Sequence, residues 1–378
     1  GMEYPMISFN PGRPLPDGTY SEQTKWEMIL IIIHEVGHNY FPMIVNSDER
    51  QWTWMDEGLN TFLEGIAERE WDHDMPTPAG RPKDIVPYMK GDKSMLAPIM
   101  TDGHLMVQFL PNAYYKPATG LNILRETIMG RELFDYAFKK YAQRWMFKHP
   151  TPEDLFRTME DASAMDLDWF WKGWFYGTDH VDIAIDNMKV YTVKSGNPAD
   201  EKVLLKAEAQ AEPEELAVQR NRASLKSVVE KDPSMQDFYT DYDPYAGTPA
   251  DEEKYIAYKE KLNDREKAFL EAGEYFVQLD FKNIGGMIMP LIIQFNFEDG
   301  SSEIKRIPAE IWRRNNLETS KVFVFNKDVV SVELDPFLET ADCDLSNNHW
   351  PPKTIPSRFE LYKSRSRSRP NPMQEAGK

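Results

Sequence analysis

The chain of 378 residues holds one cysteine, Cys343, so no intrachain disulfide framework supports it and its stability must come from packed cores. No stretch approaches the roughly 20 consecutive apolar residues needed to cross a bilayer, which excludes a membrane span in this chain. Positive charge is in short supply: 44 Lys and Arg stand against 62 Asp and Glu, a formal net charge of −18. Binding to phosphate backbones depends on clustered Lys and Arg, so nucleic acids and anionic lipid are excluded as first-choice partners. The opening Gly1-Met2-Glu3-Tyr4-Pro5 has no basic segment, apolar stretch or cleavage site, hence no visible targeting signal. The shortage of cysteine leaves secretion open, because a large core needs no staples.

What the chain does have is length for at least two cores and an enclosed pocket. The apolar run Trp26 to Ile33, continuing into His34-Glu35-Val36-Gly37-His38, predicts a buried helix, although the isoleucine run alone also fits a strand. A second helix is expected from near Met55, carrying Glu57 to Ala67, and helical text continues to about Tyr176 over Gly103–Leu110, Gly120–Met129, Arg131–Lys148 and Pro152–Met159. The aromatic-rich segment Leu167 to Gly177 reads as the closing helix of this unit, with its tryptophans in the core. Beyond it the pattern changes to short alternating strands at 181–185, 188–193, 275–281, 291–297 and 322–325, with Asp299-Gly300 as a hairpin turn. Between the strand sets lies a Lys/Glu/Ala-rich helical stretch. The expected organisation is α+β and multidomain: a mainly helical domain over 1–179, a small β-sandwich over 180–355 with a helical insertion at about 197–273, and a disordered tail over 356–378. No internal repeat is evident.

The chemistry concentrates in the first sixty residues. His34 and His38 are four apart, so on a helix both rings project from one face and can hold one metal ion, while Glu35 lies close enough to reach a water on that ion. This is the HExxH zinc signature. A catalytic zinc needs a third protein ligand and an open fourth position, and Glu57 on the next helix, within Trp54-Met55-Asp56-Glu57-Gly58, is placed to supply it. Taken alone, Glu57 also reads as a helix-start acid favoured by the macrodipole. Asp56, Thr61 and Glu64 are candidates to support the zinc histidines and remain unranked. His73, His104, His149, His180 and His349 lack ligand spacing and read as structural or exposed.

Together with Gly1-Met2-Glu3-Tyr4, which looks like a Gly-x-Met-Glu-Asn element at a fitting distance upstream, these motifs resemble the M1 metallopeptidases, zinc aminopeptidases of the gluzincin group. The resemblance implies a thermolysin-like catalytic domain followed by a β-sandwich, and one catalytic Zn2+ held by His34, His38 and Glu57. It implies Glu35 as general base, and Glu3, with Gly1 and Met2, as the site that receives the free α-amino group of a peptide substrate. It further implies an oxyanion-binding tyrosine, which aligns with Tyr114 of Ala113-Tyr114-Tyr115-Lys116-Pro117; Tyr115 is its rival, since the family's Tyr-Glu-Lys-Gly type motif is altered at two positions. Tyr4-Pro5 and Asn39-Tyr40 also depart from the family pattern and put substrate preference in doubt. The resemblance leads us to expect a piece of a longer protein, lacking an N-terminal β-domain that forms a substrate-binding wall, and a periplasmic or secreted location. Two alternatives share the metal: a thermolysin-like endopeptidase, and a zinc-bearing peptide-binding module inactive without that first domain.

Overall fold

The computed structural model describes residues 1–77, 79–193, 195–271, 275–354 and 371–377. The fold is α+β. A short antiparallel hairpin, β1 (Met2–Tyr4) with β2 (Ile7–Phe9), precedes α1 (Glu22–Gly37) and α2 (Thr53–Trp71). Helices α3 (Pro82–Met89), α4 (Lys116–Ile123), α5 (Arg131–Trp145), α6 (Pro152–Ser163) and α7 (Asp168–Phe175) follow. Ser21 starts α1, its hydroxyl accepting from the Thr24 amide at 3.0 Å, with Glu22 in the first turn where the helix dipole favours an acid.

An aromatic core fixes α2. Trp54 is fully buried and packs on Phe175 and Phe156 with ring centroids 4.8 and 6.1 Å apart; Phe156 in turn stacks on Trp171 at 4.4 Å. Trp171 and Trp174 are buried as the sequence predicts, while Trp169 is half-buried. Removing a buried ring of this kind costs about 3–5 kcal/mol, so the cluster holds α2 firmly one turn before Glu57.

Helix α1 departs from expectation. Its apolar run is helical, yet within α1 the buried residue is Glu35, while Ile32 is 41% exposed and the neighbouring isoleucines are half-buried. The side packed on α2 is the one bearing His34 and His38, and the apolar side, with Met28, Ile29 and Ile33, lines an open groove of about 550 Å3. Around Gly120 the helix also differs. A π-turn over Pro111–Tyr115 runs directly into α4, placing Gly120 inside the helix, where a Cβ would lie 3.5 Å from Trp174.

Two sheets follow. β3 (Ile183–Thr192), β4 (Tyr275–Asn283) and β7 (Glu318–Phe325) form one, in the order β3-β4-β7. The second, in the order β6-β5-β8-β9, is built from β5 (Leu291–Phe297), β6 (Ser302–Ile307), β8 (Val329–Leu334) and β9 (His349–Trp350). Asp299-Gly300 makes the β5–β6 turn, with Gly300 at φ +79° and the Phe297 amide donating to the Ser301 carbonyl at 2.9 Å. β5, paired on both edges, is the most buried strand of its sheet.

Two compact units divide the chain. One comprises residues 1–188, 279–321 and 329–378, and the other residues 189–278 and 322–328. The second carries α8 (Pro198–Ala211), α9 (Leu216–Ser224), α10 (Val228–Lys231), α11 (Pro249–Lys259) and α12 (Asp264–Glu271), and α8 through α11 contain no buried residue. In the expected tail, residues 356–370 and 378 lie outside the described residues; a short helix α13 (Pro372–Glu375) follows, with Asn371 donating to Thr19 at 3.1 Å and Gln374 to Asp17 at 2.8 Å. Among the described residues no helix is long and apolar enough to cross a membrane.

Candidate metal centre

The helical spacing of α1 sets His34 and His38 on one face, and α2 presents Glu57 to them. His34 Nε2 lies 3.0 Å from His38 Nε2, and Glu57 Oε2 lies 3.1 and 3.4 Å from the two nitrogens. Each of the three residues offers one donor atom, and all three atoms fall within 4.8 Å of one another.

The other face of each ring is held. His34 Nδ1 lies 2.7 Å from Glu64 Oε2; His38 Nδ1 lies 2.9 Å from the Phe41 carbonyl, with Asp56 Oδ1 at 3.0 Å. These acceptors favour the proton on Nδ1 and leave both Nε2 lone pairs aimed at Glu57, which is how ligating histidines are oriented. Two imidazoles and a carboxylate so arranged suit a metal ion with an open coordination position. The electrostatics agree. Burial alone would lower both imidazole pKa values, but Glu57 and Glu64 outweigh it at His34, raising it to about 9, and Asp56 and Glu57 do so at His38, raising it to about 10. Burial works against the Glu57 carboxylate too, yet His34, His38 and Tyr114 hold it below the usual range. The cluster therefore attracts a positive charge into a buried spot.

Helix α2 supplies this support through a polar stripe in its buried side: Asp56, Asn60, Glu64 and Glu68 recur every four residues and are all buried. Asn60 Nδ2 donates to the His34 carbonyl at 2.8 Å. A Cβ on Gly37 would sit 2.3 Å from Asn60 Oδ1, so a larger residue there would displace the Asn60 side chain. Asn60 has no place in the sequence reading; the signal that could have found it is the four-residue recurrence of polar side chains along a helix otherwise bound for a core. Of the unranked candidates, Glu64 and Asp56 stand against the histidine rings, and Thr61 lines the cleft.

Glu35, next to His34, is buried, and its Oε2 has no hydrogen-bond partner among the described residues. Strand β1 runs along the same cleft. Glu3 Oε2 lies 4.0 Å from His38 Nε2, and a Cβ on Gly1 would collide with the Glu35 carboxylate. Tyr114, in the π-turn, lays its ring nearly parallel to His34 with centroids 5.8 Å apart, and its hydroxyl bonds Glu57. Burial first, then the Glu57 carboxylate, push this phenol far above its ordinary pKa, so it remains a neutral donor. Tyr115 also faces the cleft, without that bond to Glu57. Gly1, Met2, Glu3, His34, Glu35, Glu57 and Tyr114 thus share one cleft of about 320 Å3, with His38 behind it. Wider concavities exist along α1 and between α8 and α11, but neither gathers ligand groups of this kind.

Residues 1–174 match the Peptidase family M1 domain. The glutamyl aminopeptidase of Bos taurus is 26% identical over 186 residues, covering 47% of this chain and 19% of that protein. The aminopeptidase N of Streptomyces lividans is 26% identical over 154 residues, covering 38% and 18%. A solved structure described as Legionella pneumophila aminopeptidase A in complex with aspartic acid is 13% identical, with a TM-score of 0.47, covering 88% of this chain and 28% of that one. The chain spans about a fifth of the length of the two curated relatives. The stretch matched by the M1 domain, residues 1–174, holds every member of the cluster around His34 and His38, and with the aminopeptidase relatives it supports an M1 family aminopeptidase fragment.

Proposed function

We propose that this chain is a zinc-dependent aminopeptidase that hydrolyses the first peptide bond of a peptide with a free N-terminus. The observation that carries the reading is the convergence of His34 Nε2, His38 Nε2 and Glu57 Oε2, with both Nδ1 atoms already engaged. A zinc ion held by these three residues supplies, when bound, Lewis-acid polarisation of the scissile carbonyl and of the attacking water.

The remaining work belongs to the chain. Glu35, buried with a free carboxylate oxygen, accepts the proton of the attacking water and returns it to the departing amine. Tyr114, a neutral donor beside the ligand set, hydrogen-bonds the oxygen on which negative charge develops, and one such donor is typically worth about 2.7–4 kcal/mol. Glu3 on β1 pairs with the substrate's α-ammonium, which sets the cut one residue from the end. Glu64, Asp56 and the Phe41 carbonyl keep the rings in register. The bovine relative is named a glutamyl aminopeptidase; that name sets no substrate preference for this chain.

The test is hydrolysis of paired fluorogenic peptides, one with a free N-terminus and one acetylated, with and without a zinc chelator. Chelator-sensitive cleavage of the free form alone is expected. Cleavage of both would make the chain an endopeptidase, and zinc-dependent binding of both without turnover would make it a peptide-binding module.

A further inference from the structure

Resting on that reading, we infer that the cleft selects a neutral, apolar N-terminal residue and excludes an acidic one. Three observations converge. Outside the catalytic groups and Glu64 the lining is uncharged and mainly apolar: Met2 from β1, Leu30 and Ile31 from α1, and Leu110 at the entrance to the π-turn, with Thr61 and Tyr115 as its polar members. Among the described residues no Lys or Arg lines the cleft. The lysine closest in sequence to the catalytic tyrosine, Lys116, is 2% exposed and turned away, its Nζ donating to the Gly177 carbonyl at 3.2 Å.

Glu3, Glu35, Glu57 and Glu64 all face the same space. Even with a divalent cation and a substrate ammonium in place, four carboxylates leave the lining net negative. An aspartyl or glutamyl side chain would therefore lose its hydration, find no cationic partner and meet like charge, which a partly enclosed site penalises more than water does. A leucyl or methionyl side chain loses only apolar hydration against Met2, Ile31 and Leu110, which is favourable. Discrimination built on leaving a charged group unpaired exceeds what a missing methylene gives, so kcat/KM should favour leucyl over glutamyl substrates by about 100-fold or more.

The experiment uses the zinc-loaded full chain in two readouts. Aminoacyl-methylcoumarylamides of Leu, Met, Glu and Asp are compared by kcat/KM, and the hydroxamates of leucine and glutamate by calorimetric binding. We expect the leucyl substrate ahead by about 100-fold and leucine hydroxamate bound at least tenfold tighter. In Leu110→Arg, where the replaced side chain is 54% exposed and no part of a core, the glutamyl-to-leucyl ratio should rise at least tenfold. Equal or better performance of the glutamyl ligand overturns the inference. Should no substrate be hydrolysed, the aminopeptidase reading fails, while the hydroxamate pair still decides selectivity: tighter leucine supports it, equal or tighter glutamate overturns it.

Discussion

At the scale of single residues, two side chains beside one another divide into different roles by what they touch. Tyr114 bonds Glu57 and stacks on His34, whereas Tyr115 only lines the cleft. Tyr114→Phe should lower kcat by about 10²–10³-fold with zinc content unchanged, and Tyr115→Phe should stay within a few-fold of the parent; steady-state kinetics with metal analysis checks both. The imidazoles carry a pH signature. Glu57, Glu64 and Asp56 raise the two imidazole pKa values, to about 9 and 10, so at neutral pH the cluster holds protons that zinc must displace. Apparent zinc affinity should therefore rise with pH from 6 to 8, by about tenfold to hundredfold per unit, with proton release visible in weakly buffered calorimetry. The stripped chain follows the opposite sign. Because the folded values lie above the unfolded value near 6.5, the stability from these rings is complete below that value and is lost as pH rises through about 9 and 10. A pH-independent zinc affinity would contradict the cluster's electrostatics.

At the scale of elements, α2 is both the anchor of the core and the support of the histidines. Trp54 locks one end into the aromatic cluster, and the buried stripe of Asp56, Asn60, Glu64 and Glu68 runs on along the helix. Glu64→Ala should weaken zinc binding about 10–100-fold, while a buried-core readout such as near-UV circular dichroism stays unchanged; wild-type affinity would remove Glu64 from the support of His34. The helix carrying His34 and His38, and the approach of Glu57 to them, were legible because a 3.6-residue period and the four-residue histidine spacing survive in the sequence. The burial of α1 was not: apolar text reports which side chains avoid water, not whether a partner covers them, and here Ile32 is left in the open while Glu35 is buried. β6 was equally hidden. It has no buried residue, so it carries no alternating pattern and exists through its pairing with β5. Gly120, read as a helix start, lies inside the helix beside Trp174, a placement that local sequence does not encode.

At the scale of the whole molecule, chemistry and bulk are separate. The cluster of His34, His38 and Glu57, the aromatic core and the four-stranded sheet share one compact unit, while the other carries helices α8 to α11 without a buried side chain. Elements without buried apolar contacts open at low free energy. Within residues 189–278, brief trypsin treatment should nick the chain first in α9, near Arg220 and Arg222, and leave zinc content and free-N-terminus hydrolysis within about twofold of the uncut protein. Loss of either on nicking would tie the insertion to the site.

The account stands on the ligand set of His34, His38 and Glu57, and X-ray absorption at the zinc edge reads that set directly. It predicts one zinc per chain with two imidazole nitrogens at about 2.0–2.1 Å and the remaining scatter from oxygen. Zinc bound without imidazole, or with sulfur from Cys343, would contradict it.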